Sequence, residues 1–361
     1  MITYYLLFFI PSLYSILKVS NDKKKSLIFC LSFSFLCILV FGSRYKIGGD
    51  WINYLYIYNN INDYFDPLSL NFLQSDYLYD LINYILFNNN LSFTFSNFIN
   101  QFIFIMGLFF YAKKQLQPSM IYVIAIPYLI IVVSTGYIRQ ASALGIIFFA
   151  LPFLFNGKFV KFSLLIFIAS FFHKTAFLLL FILPLVRFKF TNLLNLNKLN
   201  INIIIFILAS IPIIYLTYYL FLQFQYNHIL RYYVGHEMHF ISTGASFRVS
   251  FFLLSAILCI IFHQKLNVGI YEKNFYLALS VLTILFSLFV FNFSSAVDRF
   301  LIYFYPLQLF ILSRLHIFFS DNAHRIFYNI IIISVYFILL YIWANYGKFS
   351  NHWIPFNSIF F

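Results

Sequence analysis

The sequence predicts an all-α fold, a polytopic transmembrane helix bundle of about 12 spans forming a single domain over residues 1–361. Three observations predict it. Only 9% of the residues are charged and 63% are hydrophobic, whereas a soluble domain carries about 25% charged residues; a water-soluble fold is excluded. Apolar runs recur along the whole chain and, at roughly 20 residues per crossing, leave no room for a separate soluble domain. Lysine and arginine, finally, fall unequally on alternate connections between those runs.

In order, the predicted spans are 2–17, 26–43, 95–112, 119–135, 140–155, 160–172, 175–187, 200–221, 247–263, 275–293, 299–314 and 326–346. The run 2–17 has no basic residue ahead of it, since the first cation is Lys18, so it reads as a retained span and not a cleaved leader. The short pair 160–172 and 175–187 also suits one interrupted or re-entrant element. Cys30, Cys37 and Cys259 all lie inside apolar runs and read as small apolar residues, with no disulfide expected.

Twelve spans put both termini on one side. One set of connections holds 15 of the 23 Lys and Arg, from Lys18, Lys23, Lys24 and Lys25 through to Arg314 and Arg325. The positive-inside rule makes that set cytoplasmic and both termini external. The external set holds Arg44, Lys46, Arg139, Lys174, Arg231, Arg248, Arg299 and Lys348, with seven of the ten acidic residues, Asp50, Asp76 and Asp298 among them. Arginine, with its planar fork of donors, suits phosphate and carboxylate contacts. The polar chemistry is therefore placed on the outer face. The net charge of +13 does not indicate a nucleic-acid partner, because the cations are dispersed in short loop pairs and form no basic stripe.

Two outer connections are long, 44–94 and 222–246. The first mixes aromatics with Asn and Asp at helical spacing in Trp51–Tyr58 and Tyr77–Tyr84, and predicts short amphipathic helices lying in the interface. The second is a glycine-punctuated aromatic loop suited to act as a lid or lipid gate. It contains His236-Glu237-Met238-His239, whose histidines stand at i and i+3, whereas the zinc signature needs i and i+4; no metal is assigned.

The candidate site residues follow from these connections. Arg44-Tyr45-Lys46-Ile47-Gly48-Gly49-Asp50-Trp51 couples two cations and a carboxylate to a glycine pair with accessible backbone amides, a bed for a pyrophosphate and a sugar. Arg139, after Ser134-Thr135-Gly136-Tyr137-Ile138, opens a helix near membrane depth, where an arginine is costly unless paired or wet. Arg248 stands at the outer end of another span, and Asp298-Arg299 falls between two apolar runs. His173-Lys174 occupies an outer turn, and histidine is the usual general base near neutrality. Each has a plainer reading as an interfacial anchor or turn. No P-loop, dinucleotide fingerprint or G-x-S-x-G elbow is present, which argues for a donor already activated on a lipid.

The segment Arg44 to Tyr54 resembles the R-x-x-x-G-x-D-x-x-x-Y element of the EpsG-like branch of Wzy O-antigen and capsule polymerases. Tyr137-Ile138-Arg139-Gln140-Ala141, His173-Lys174-Thr175-Ala176 and Asp298-Arg299-Phe300-Leu301-Ile302-Tyr303-Phe304 are similar to its later elements. Trp353-Ile354-Pro355-Phe356 resembles its W-x-P-Y tail, departing at the last aromatic. The resemblance implies a bacterial inner-membrane polymerase that passes a glycan from undecaprenyl pyrophosphate to a newly arrived lipid-linked repeat, without cofactor or metal. A chain-length regulator is a further candidate partner. Under this reading Arg44, Arg139, Arg248 and Arg299 bind pyrophosphate, His173 and then Asp50 serve as base, Asp298 orients Arg299 or a sugar hydroxyl, and Trp51, Tyr54 and Tyr137 contact sugars. The rival readings are another lipid-dependent glycosyltransferase, of the GT-C or O-antigen ligase kind, and a flippase of lipid-linked glycans without chemistry.

Overall fold

The computed structural model describes residues 1–17, 23–68, 76–187, 242 and 244–360. These residues are mostly helical, with no strand among them; the nearest approach to one is an isolated bridge between Arg44 and Ser358. The predicted span 200–221 lies outside the described residues, as do Arg231 and the His236–His239 segment.

Among the described residues, seven helices are long and apolar enough to cross a membrane: Lys23–Gly42, Phe93–Ala112, Pro118–Gly136, Ile138–Phe155, Ala245–Phe262, Ser294–Phe318 and Asn322–Tyr346. At 1.5 Å per residue the 18 to 25 residues of each span match a hydrocarbon core of about 30 Å. Two further apolar helices, Ile2–Leu17 and Phe159–Ser170, are shorter. The helix Ile270–Ser287 begins with Glu272 and Lys273 in its first turn, which lowers its apolar character.

In chain order we label the helices α1 (Ile2–Leu17), α2 (Lys23–Gly42), α3 (Trp51–Asn59), α4 (Ile61–Tyr64), α5 (Tyr77–Asn88), α6 (Phe93–Ala112), α7 (Pro118–Gly136), α8 (Ile138–Phe155), α9 (Phe159–Ser170), α10 (Ile182–Arg187), α11 (Ala245–Phe262), α12 (Ile270–Ser287), α13 (Ser294–Phe318) and α14 (Asn322–Tyr346).

The chain divides into two compact units. The first comprises Met1–Pro152, Lys161–Phe177 and Leu312–Phe361. Its centre is α7, almost wholly buried, with α1, α2, α6 and α14 packed against it. Apolar residues around its full circumference suit a helix surrounded by protein. Its middle, Ile126–Val133, is a wider π-helical stretch that begins beside Pro127; proline has no N–H to give to an α-helical ladder. The helix then breaks at Tyr137 and α8 restarts at Ile138, which places Arg139 in the first turn of a new helix. Gly107 of α6 and Gly145 of α8 allow close backbone approach: a Cβ on Gly107 would collide with the Gly145 carbonyl oxygen, the small-residue contact that holds helices together where lipid offers no hydrophobic drive.

The second unit comprises Phe153–Val160 and Leu178–Ile311. There α11 packs on α12 and on the start of α13, and α10 packs on α12. Asn274 anchors that last contact by donating to the Val186 carbonyl at 2.9 Å.

Candidate functional site

In the first unit, the connection between α2 and α6 brings three sequence-distant side chains together. The Leu78 N–H donates to the Phe171 carbonyl at 3.0 Å, pinning the first turn of α5 to the turn after α9. Asp76 stands at the N-cap of α5 but makes no capping hydrogen bond, although Asp there ordinarily accepts from the first turn. Its carboxylate turns instead to Arg139, whose Nη1 donates to Oδ2 at 2.9 Å. His173 Nδ1 lies 3.6 Å from that same oxygen. The carboxylate is the buried member: the side chains of Arg139, His173 and Asp76 are 33%, 31% and 9% exposed. Burial opposes the charge on Asp76, but His173 and Arg139 outweigh it and hold the carboxyl below the usual carboxylate range.

Arg139 is also framed by aromatic rings. Its guanidinium carbon lies 5.6 Å from the centres of both the Tyr54 and Tyr79 rings, which meet edge to face. This is cation–π geometry. Burial pushes the hydroxyl pKa of both tyrosines up, so they remain neutral donors at physiological pH.

Arg44 lies deeper. It is 1% exposed, and its Nη1 and Nη2 donate to the Phe41 carbonyl and Asn97 Oδ1, each at 2.7 Å. No carboxylate pairs with it among the described residues. Burial pulls its pKa down to about 10, still far above neutrality, so it carries a buried positive charge. Its Nε, the Asn97 Nδ2 and the indole Nε1 of Trp51, whose ring lies 5.9 Å from the guanidinium, are buried donors without partners among the described residues.

The chain's end holds this region in place. Tyr45 N–H donates to the Asn357 carbonyl, Gly48 N–H to His352 and Ile359 N–H to Ser43, at 2.9–3.0 Å. The Trp353 indole donates to Thr135 Oγ1 at 2.6 Å, and its carbonyl accepts from Tyr4 Oη at 2.7 Å. Gly48 has φ +112°, and a Cβ there would stand 2.5 Å from the Thr135 carbonyl oxygen. Only glycine fits where this loop meets the end of α7.

In the second unit, Arg248 of α11 forms a fork on Asp298 of α13, Nε to Oδ1 at 2.7 Å and Nη2 to Oδ2 at 2.6 Å. Ser242 Oγ joins both, accepting from Arg248 Nη2 and donating to Asp298 Oδ2. The partner of Asp298 is therefore Arg248, which reaches it from another helix, while the neighbouring Arg299 points to an exposed position.

The sequence candidates thus fall into groups. Arg139, His173 and Tyr54 meet around Asp76; Arg44 and Trp51 meet beneath; Arg248 and Asp298 meet in the other unit. Asp50, at the N-cap of α3, lies close enough to Tyr54 to act on its charge, and Tyr137 is half-buried at the α7–α8 break. Trp51 and Tyr54 are buried at 6% each, with their rings against Phe93 and Tyr79. Trp51 lies beside Arg44 and Tyr54 beside Arg139. Sequence reasoning gave no site role to Asp76, Tyr79, Asn97 or Ser242. Asp76 was visible only as one of several outer carboxylates, and no spacing rule joins it to Arg139, 63 positions away. Among the described residues no group of three or more His, Cys, Asp or Glu is placed to hold a metal.

Fold and site together define a multi-pass helical membrane protein with arginines held by carboxylate, amide and aromatic partners. The sequence model of the EpsG family matches residues 26–358. The chain belongs to the EpsG family, a Wzy-like polymerase family. No curated protein and no solved structure matches it.

Proposed function

We propose that the protein polymerises oligosaccharide repeats carried on undecaprenyl pyrophosphate into an O-antigen or capsular polysaccharide, on the outer face of the bacterial inner membrane with both termini on that side. Membership of the EpsG family supports the reaction class. The observation that carries the site is the sharing of Asp76 Oδ2 between Arg139 and His173.

In the transfer, the bond from the donor sugar's C1 to the pyrophosphate oxygen breaks, and its electron pair leaves with that oxygen. The acceptor hydroxyl oxygen forms the new bond to C1, and its proton passes to a base. His173 is the first candidate base, with Asp76 behind it to orient the ring and stabilise its charged form, as a carboxylate does behind a catalytic histidine. Asp50 is the second candidate. A positioned base contributes roughly 10²–10⁴-fold. Arg139 stabilises the departing pyrophosphate; a cation about 4 Å from a phosphate charge gives about 4 kcal/mol at an effective dielectric of 20. Arg44 adds buried positive charge beneath, with unpartnered donors beside it. Arg248 and Arg299 are assigned to lipid-linked phosphate in the second unit, with Asp298 positioning Arg248.

The test is deletion of the gene in its native strain, followed by gel analysis of the surface glycan. A ladder that collapses to a single capped repeat, restored by the wild type but not by Arg139→Ala at equal membrane level, is the expected result. An unchanged ladder would overturn the proposal, and loss of even the single repeat would replace it with flipping or ligation.

A further inference from the structure

Arg139 and the groups that frame it come from different helices, and a buried polar thread joins two of those helices through a third. Asn83 of α5, Ser96 and Asn100 of α6 and Ser142 of α8 are each between 0% and 3% exposed. Ser96 Oγ donates to Asn83 Oδ1 at 2.6 Å. Asn100 Nδ2 donates to the Ser96 carbonyl at 2.8 Å, with Ser96 Oγ 3.3 Å away. Ser142 Oγ donates to Asn100 Oδ1 at 2.7 Å. The thread therefore runs from α5 through α6 to α8 without a break.

Its two ends lie one turn from the arginine site. On α8, Ser142 is three residues after Arg139. On α5, Asn83 is four residues after Tyr79, whose ring centre stands 5.6 Å from the Arg139 guanidinium. At 3.6 residues per turn, each of these pairs shares a helix face. Asp76, the carboxylate partner of Arg139, stands at the N-cap of the same α5. The rotation of α5 relative to α8 therefore decides whether Asp76, Tyr79 and Arg139 meet. Apolar packing tolerates small adjustments, whereas a satisfied set of buried hydrogen bonds selects one arrangement.

Stability alone gives no reason for these four side chains. Apolar groups of the same shape at both ends of a buried hydrogen bond are close to neutral, and bonds between helices in a membrane protein are individually weak. Placement does give a reason: moving a catalytic group by about 1 Å costs on the order of 10²-fold in rate.

We propose that Asn83, Ser96, Asn100 and Ser142 are positioning residues that hold Arg139 in its place between Asp76 and the Tyr54 and Tyr79 rings. Their link to glycan transfer rests on the polymerase reading, but the placement of Arg139 is tested without it. The full-length protein in detergent is treated with phenylglyoxal, which modifies arginine, and peptide mass spectrometry reads the rate at Arg139 alone. Ser96→Ala cuts the thread between α5 and α6, and Ser142→Ala cuts it between α6 and α8. Each should speed modification of Arg139 severalfold. The double variant should go no further, because residues of one network do not act additively. Ser34→Ala is the control: Ser34 Oγ and Tyr122 Oη share a buried bond of 2.6 Å between α2 and α7. Tyr122 lies near the start of α7 and Arg139 beyond its end, so loss of this bond should leave the Arg139 rate unchanged. In cells, Ser96→Ala and Ser142→Ala should each lower polymer about tenfold at equal membrane level, and Ser34→Ala should not.

An Arg139 rate equal in the wild type and both cut variants would overturn the positioning role. An equal rise in Ser34→Ala would overturn it too, since general loosening would then account for the effect. Unchanged polymer in variants whose Arg139 reacts faster would overturn the role in transfer. Gene deletion that leaves the polymer intact would overturn the polymerase reading separately, whatever the arginine rates.

Discussion

Asp76 Oδ2 accepts from Arg139 Nη1 at 2.9 Å, and the cost of breaking that pair depends on how much water reaches it. Removing one member of a fully buried pair costs about 3–5 kcal/mol, and an exposed pair is worth about 0–1. With Arg139 one-third exposed and Asp76 nearly buried, Arg139→Ala should destabilise by roughly 2 kcal/mol, between those limits. Polymer should fall much further than stability, by tenfold or more. Arg139→Lys should keep the fold and lose most of the polymer, because lysine lacks the planar fork. Thermal unfolding in detergent, alongside the glycan ladder, separates the two effects.

The depressed carboxyl of Asp76 has a stability signature. Its folded-state pKa lies below its unfolded value, about 3.9 for a free aspartate, so its contribution is complete above that value. The contribution is lost as pH falls through the lower folded pKa. The melting difference between wild type and Asp76→Asn should therefore be fully present at about pH 5 and shrink below about pH 4. A difference that shrinks already between pH 5 and 7 would refute the assigned direction.

How much of this was legible beforehand is clear from particular residues. The apolar runs 119–135 and 140–155 lie where α7 and α8 form, because helix length and hydropathy are local properties. The arginine positions were marked by the cost of a cation near lipid. Their partners were not, since a charge's partner is set by which helices pack. Asp298 was expected to orient Arg299 or a sugar hydroxyl, and no sequence rule showed that the packing of α11 on α13 also brings Arg248 onto it. Similarly, nothing in the composition of the Trp51–Tyr58 segment showed that the Trp51 and Tyr54 rings meet Phe93 and Tyr79 edge to face.

Arg44 tests the opposite limit, a charge with almost no solvent. Asn97→Ala removes the acceptor for its Nη2 and leaves a buried donor of a charged group without a partner, so it should cost about 1.5–3 kcal/mol. Arg44→Met removes the charge with similar volume and should be less damaging to stability than Asn97→Ala, yet should lower polymer output. Melting temperature and ladder intensity, compared for the two variants, should rank them in opposite orders.

The C-terminal tail supports the same loop from outside the helices. Trp353 is buried against the end of α7 and donates to Thr135. Trp353→Phe keeps the ring and loses one hydrogen bond, a cost of about 1 kcal/mol, and should retain polymer. Trp353→Ala opens a cavity, should cost about 3–5 kcal/mol, and should release the segment that bonds Tyr45 and Gly48. Limited proteolysis near residues 45–49 should then speed up in the alanine variant and not in the phenylalanine variant.

The Arg248–Asp298 fork separates a positioning role from a structural one. If Asp298 acts through Arg248, the effects of Arg248→Ala and Asp298→Ala on polymer output should not add: the double variant should be no worse than the weaker single one. Stability should show coupling too, at roughly 0.5–3 kcal/mol for residues in direct contact. Ser242→Ala, which removes the hydroxyl bonded to both partners, should lower polymer output by a smaller factor while both charges persist. Additive losses in polymer across the cycle would mean that the two residues act independently, and Asp298 would then be better assigned to a sugar hydroxyl than to the arginine.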